Sequence, residues 1–141
     1  MKRKTKIRRS AFTLIEVVVV IVILVTLASI ATPLYMNYLK DANLRAARIG
    51  IENLKQTVQM FKMHVGRYPE SLEELITRPD EADNWSGPYL EKLPKDPWGN
   101  EYKYESQPED ENQPYVILSF GPDGLEGTDD DISNAPAEAK D

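Results

Sequence analysis

The chain has 141 residues, 41% of them apolar and 28% charged, which suits one small domain plus an appendage. It has no cysteine, and this excludes a disulfide framework, a thiolate zinc site and a cysteine nucleophile. The formal charge of −6 is uneven: six of the 17 basic residues crowd into residues 1–11 with no acid among them, and the rest of the chain carries all 23 acids, so there is no sign of the basic folded face of a nucleic-acid binder.

The first element is a basic leader, with Lys2, Arg3, Lys4, Lys6, Arg8 and Arg9, followed by FTLIEVVVVIVILVTLASIA over residues 12–31. About 20 helical residues cover about 30 Å, enough to cross a bilayer. The basic block keeps the N-terminus in the cytoplasm and sends the remainder outside. A secretory signal peptide cut near Ala31 and a plain signal anchor have the same outline. Glu16, the only charge in the run, argues against both. A carboxylate deep in a bilayer costs about 2.5–3.5 kcal/mol on insertion scales, and such a residue normally has a partner. No basic residue lies within the run. A cut between Ala11 and Phe12 would create an α-amine four residues before Glu16, and a shifted neighbouring copy could present that amine to it.

Beyond Pro33 the pattern becomes amphipathic. Leu39, Ala42, Ala46 and Ile49 recur along one line, and Ala47, Ile51, Leu54, Val58 and Phe61 along an adjacent one. Gly66 is placed to cap the helix, and Pro69 cannot continue it. A single helix over residues 12–65 would be about 80 Å long, and its first half has only lipid or other copies to cover it. Pro33 removes one backbone hydrogen bond; a kink at the membrane exit and a role in assembly are equally compatible with it. His64, the only histidine, is expected in solvent at the helix end, without chemistry.

Residues 70–76 predict a short second helix, with Ser71 and Glu74 as a capping box. A loop rich in acid, Pro and Gly covers residues 78–88, and Pro97-Trp98-Gly99-Asn100 marks a turn. Tyr102-Lys103-Tyr104 alternates as a strand; residues 115–119 read as its antiparallel partner across a polar loop at 108–114. The aromatics are assigned to the core, with Trp98 between sheet and helix. The expected class is α+β: a long N-terminal helix packed on a small antiparallel sheet. Residues 119–132 then place five acids within positions 123–131 of a glycine-rich stretch. Calcium takes six to eight oxygens, mixing carboxylates with carbonyls, but the EF-hand spacing is absent. A solvated acidic run and a cation site are both consistent with these residues. Residues 134–141 are expected to form a flexible tail.

Ser10-Ala11-Phe12-Thr13-Leu14-Ile15-Glu16 resembles the class III signal of type IV pilins and type II secretion pseudopilins. Gly66-Arg67-Tyr68-Pro69, Asp96-Pro97-Trp98-Gly99 and Ser119-x-Gly121-x-Asp123-Gly124 follow in an order similar to the major pseudopilins of the type II secretion system. The resemblance implies that residues 1–11 are a leader removed by a prepilin peptidase, which then methylates the amine of Phe12. Ala11 stands where the family usually has Gly, which implies slower cutting. Residues 12–33 would be the membrane and assembly helix, with Glu16 and Pro33 serving assembly; residues 34–66 its amphipathic continuation; and residues 67–133 the periplasmic domain. The same resemblance implies calcium in the acidic loop, held by the Phe120 carbonyl, Asp123, Thr128, Asp129, Asp130 and Asp131. It further implies a single-pass inner-membrane precursor that polymerises with itself into a periplasmic pseudopilus for exporting folded proteins. Its partners would be the membrane, the peptidase, minor pseudopilins and an inner-membrane assembly platform. A type IV pilin or minor pilin of an adhesion or DNA-uptake filament is the nearest alternative, and a monomeric calcium-binding membrane protein a more distant one. No phosphate loop, histidine cluster or Ser/His/Asp set is recognisable, so no catalytic residue is expected.

Overall fold

The computed structural model describes residues 12–107 and 109–135. The expected leader, including Ala11, and residues 136–141 lie outside the described residues. The element order is α1 (Leu14–Val65), a 3-10 turn (Leu72–Leu75), β1 (Lys103–Ser106), β2 (Tyr115–Ser119) and β3 (Ile132–Ser133). The chain divides into two compact units between Leu39 and Lys40.

In the first unit, α1 starts directly after Thr13, whose Oγ1 accepts the Glu16 N–H at 3.3 Å. Thr13 is thus the N-cap, a T-x-x-E start signal that the reading of Glu16 as an isolated acid overlooks. The remaining hydroxyls turn back onto the helix: Thr26 donates to the Ile23 carbonyl, Ser29 to that of Thr26 and Thr32 to that of Ala28, each at 2.8 Å. Polar atoms satisfied in this way suit a low-dielectric surrounding. The helix runs through Pro33 without interruption. Among the described residues this is the one helix long and apolar enough to cross a membrane, and none of its apolar window is buried within the chain.

In the second unit, one predicted line is the buried one. Ala47, Ile51, Leu54, Val58 and Phe61 join Leu72, Leu75, Tyr102, Tyr115, Ile117 and Ile132 in a single core. The other line does not enter it: Leu39 and Ala42 are half-buried, Ala46 is exposed, and Ile49 is 61% exposed. Gly66 ends the helix at φ 90°, with its N–H on the Lys62 carbonyl at 2.8 Å.

The second helix shortens to the 3-10 turn, and its capping box does not form. Ser71 makes no side-chain cap. Glu74 is engaged instead by the Arg67 guanidinium at 2.8 Å and by the Glu70 N–H at 3.3 Å, because the turn after Pro69 brings a stronger, charged donor to it.

The sheet order is β1-β2-β3, antiparallel throughout, with Lys103 opposite Leu118, and Leu118 opposite Ser133. Along β2, Tyr115, Ile117 and Ser119 point inward. The two-residue β3 is too short to show a period of its own. Asn134, expected at the head of a flexible tail, is docked on β2: its side chain accepts the Ile117 N–H at 2.6 Å and donates to the Tyr115 carbonyl at 3.3 Å. Trp98 is half-buried against the core as expected. Trp85, which the sequence left in a loop, packs there too, with its indole N–H on the Glu74 carbonyl at 3.0 Å and its ring edge-on to Tyr89. His64 is exposed but not free, since Nδ1 lies 2.9 Å from the Tyr89 hydroxyl.

Candidate functional site

Two regions carry the residues singled out by the sequence. The first is the start of α1. Phe12 precedes the helix and is 79% exposed; Glu16 sits in its first turn, with exposed side chains on all sides up to position 38. A helix of apolar residues with nothing of its own chain against it requires lipid or other protein around it.

The second region is the acidic loop, and it is built on a buried carboxylate that sequence reasoning did not single out. Asp96 is only 4% exposed. Its Oδ1 accepts the N–H groups of Trp98 and Asn100 at 3.1 and 2.8 Å, and its Oδ2 accepts the Ser119 hydroxyl at 2.7 Å. The Ser119 oxygen in turn accepts the Gly121 N–H at 3.4 Å. The DPWG turn and the start of the SxGxDG segment are therefore one hydrogen-bonded unit. Their co-occurrence in the sequence was the available signal.

From this base the loop folds back on itself. Gly121 has φ 66°, and a Cβ there would stand 2.5 Å from the Asp130 carbonyl oxygen and 2.8 Å from its Oδ2. Only glycine allows that approach. Asp130 accepts the Thr128 hydroxyl at 2.6 Å and the Asp123 N–H at 3.4 Å. The Thr128 bond holds its carboxyl below the ordinary aspartate range. Asp123 Oδ1 accepts the Leu125 N–H at 2.9 Å, and Asp131 Oδ2 the Gly127 N–H at 2.7 Å. Lys103 bridges Glu105 of its own strand and Glu126 of the loop.

Of the expected calcium ligands, Asp123, Thr128 and Asp130 are thus drawn together. Asp131 lies beside them in sequence on its own bond to Gly127, Phe120 is half-buried at the end of β2, and Asp129 is exposed. Among the described residues no three acidic, histidine or cysteine side chains converge as a metal cluster. One feature fits a cation: Asp131 Oδ1 is buried with no hydrogen-bond partner. A buried acceptor left unsatisfied costs about 1–3 kcal/mol, and more when charged.

Residues 34–135 match the family model described as type II secretion system protein G, and residues 6–32 match the prokaryotic N-terminal methylation motif. The type II secretion system core protein G of Escherichia coli K12 is 40% identical over 134 residues, covering 90% of this chain and 91% of that protein. The Vibrio cholerae core protein G is 39% identical over 142 residues, covering 95% of each. The crystal structure of the major pseudopilin from the type 2 secretion system of enterohaemorrhagic Escherichia coli superposes with a TM-score of 0.61 at 31% identity, covering 70% of this chain and 91% of that one. The chain belongs to the type II secretion system protein G family, and its fold is that of a major pseudopilin.

Proposed function

We propose that this chain is the repeating subunit of a secretion pseudopilus: inserted in the inner membrane by α1, cut before Phe12 by a prepilin peptidase, and polymerised into a periplasmic filament that supports export of folded proteins. Minor pseudopilins and an inner-membrane assembly platform are its further partners. The observation that carries this reading is the pairing of an uncovered apolar helix with an acid in its first turn and no basic residue from position 12 to position 39. The α-amine of another copy supplies the missing charge. Glu16→Ala is expected to insert and accumulate normally while filament yield drops at least tenfold; a normal yield of sheared filaments would sink the reading. N-terminal mass spectrometry of the mature chain should begin at Phe12 with a methylated amine. A chain beginning at Met1 or Thr32 contradicts this.

The acidic loop in this reading holds calcium. Asp123, Thr128, Asp130, Asp131 and the Phe120 carbonyl would supply its oxygens, with Asp129 at the rim. Bound calcium neutralises the crowded carboxylates and pins the loop to β2 and β3. Three features support it: the orphaned Asp131 Oδ1, the Thr128 hydroxyl bond that lowers the Asp130 pKa, and the glycines that close the loop. A ligand that binds only the folded state at one hundred times its Kd stabilises by about 2.7 kcal/mol. Calcium should therefore raise the melting temperature of the detergent-solubilised chain by several degrees, and a chelator should reverse the gain. Asp131→Ala should abolish the response. An identical melt with calcium and chelator removes the site.

A further inference from the structure

The chain has seven tyrosines. Five lie beyond position 67, and each of their hydroxyls meets another protein group, as Tyr104 meets the Pro69 carbonyl at 2.8 Å and Tyr68 the Lys62 ammonium at 2.9 Å. Tyr35 and Tyr38 differ. They are 61% and 68% exposed, and neither hydroxyl has a hydrogen bond among the described residues. Three positions apart, the two share one side of α1. They also stand at a boundary. From Val17 to Leu34 the only polar side chains are those of Thr26, Ser29 and Thr32, and all three hydroxyls donate to carbonyls of the helix itself. Polar side-chain atoms with no such bond resume with Glu16 on one side and Tyr35 on the other. The interval between them is 18 residues, or about 27 Å of helix, against about 30 Å for the hydrocarbon core of a bilayer.

We propose that Tyr35 and Tyr38 are an interfacial anchor of the unassembled subunit: their rings lie in the outer headgroup layer of a phospholipid bilayer, their hydroxyls bond headgroups and water, and together they set the depth of α1. The inference rests on the membrane-insertion reading above. Tyrosine suits this level because its ring is apolar and its tip polar. Lys40 and Asp41 follow at once, so the chain leaves apolar surroundings there. A second copy is a poorer occupant, because the apolar stretch it would bring has its hydroxyls already bonded to its own carbonyls and offers nothing to the two phenols. The anchor has a consequence at the other end of the helix. Nineteen residues separate Glu16 from Tyr35, so the acid stands about 28 Å away along the axis, in the inner headgroup layer and not deep in hydrocarbon. Phe12 then lies further out on the cytoplasmic side, where a peptidase can reach the bond before it.

Depth profiling of the full-length chain tests the anchor. The chain has no cysteine, so single cysteines substituted at Val17, Ile21, Val25, Ser29 and Leu34 each carry one spin label. The labelled chains are reconstituted at low protein-to-lipid ratio in vesicles of phosphatidylethanolamine and phosphatidylglycerol, and insertion is checked by flotation. The ratio of oxygen to nickel-chelate accessibility rises with depth. It should peak at Val25 and be at least fivefold lower at Val17 and Leu34. With Tyr35→Leu and Tyr38→Leu combined, the apolar run extends to Leu39, and the ratio at Leu34 should rise at least threefold as the helix slides. Tyr35→Trp with Tyr38→Trp should keep the parent profile, because indole favours the same layer. A parent profile that peaks at Val17 or Leu34 overturns the anchor and leaves the membrane reading intact. So does an unchanged ratio at Leu34 in the leucine pair, or a tryptophan pair that behaves like the leucine pair. Chains that fail to float with the vesicles overturn both.

Discussion

Gly50→Ala should destabilise the folded domain, although glycine in the middle of a helix ordinarily costs about 1 kcal/mol relative to alanine. The reason is a single close approach. A Cβ on Gly50 would stand 2.1 Å from the Tyr102 hydroxyl oxygen and 2.9 Å from the ring carbon that bears it. Tyr102 is buried beside β1, and its hydroxyl reaches the Ala47 carbonyl at 3.5 Å, one turn back along the same helix. The ring has no room to retreat, since it is part of the core formed with Leu54, Ile117 and Ile132. Overpacking of this kind costs about 1–3 kcal/mol and outweighs the gain in helix propensity. For a domain of this size the melting temperature should fall by about 5–10 °C. The double variant Gly50→Ala with Tyr102→Phe should recover part of the loss, because the closest atom is then gone. Tyr102→Phe alone should cost little, given the length of its bond to Ala47. A melting temperature that rises in Gly50→Ala would show that the tyrosine does not lie against this helix.

The same contact explains how much the sequence could say. The buried row from Ala47 to Phe61 is legible because 3.6-residue periodicity marks it, and β2 because a short run of strand-favouring residues follows a polar loop. Gly50 is not legible in that way. It falls between core positions and reads as a weak helix residue until its partner, 52 positions along the chain, is known. The capping box at Ser71 failed for a related reason: local chemistry proposed one partner for Glu74, and Arg67 provided a stronger one. The strand at Ile132–Ser133 has too few residues to carry a period and owes its place to Asn134, whose side chain and backbone both bond to Ile117. At the candidate sites, Glu16 was legible as an anomaly of charge in an apolar run. Its local role beside Thr13 is written in the T-x-x-E spacing, where the Glu16 N–H meets the Thr13 hydroxyl oxygen. The acidic loop was legible as composition, whereas its closure by Gly121 against Asp130 depends on a chain reversal that composition does not specify.

Asp96→Ala should produce the largest loss of stability of any single substitution outside the aliphatic core. Removing the carboxylate strands the Trp98 and Asn100 N–H groups and the Ser119 hydroxyl at once. Hydrogen bonds to a charged acceptor contribute about 1.5–3 kcal/mol each, but groups sharing one partner are not additive, so a total of about 3–5 kcal/mol is expected. Asp96→Asn separates charge from geometry. Its carbonyl oxygen can still accept both N–H groups, and the Ser119 oxygen has lone pairs for the new amide as well as for Gly121. That variant should lose only about a third as much. Ser119→Ala should fall between the two, and a double-mutant cycle between positions 96 and 119 should show strong coupling. The loss should also be directional. Ser119 is the last residue of β2 and the first of the acidic loop, so Asp96→Ala should speed amide hydrogen exchange at Gly121 before it affects Ile117 on the same strand. Uniform acceleration along β2 would mean that the turn and the loop are independent, and equal stability of Asp96→Ala and the parent chain would mean that the carboxylate does not join them. If exchange does rise first at Gly121, the buried acid is what holds the crowded anionic loop in place, and the calcium response proposed for that loop should weaken in the same variant although none of the proposed ligands has been removed.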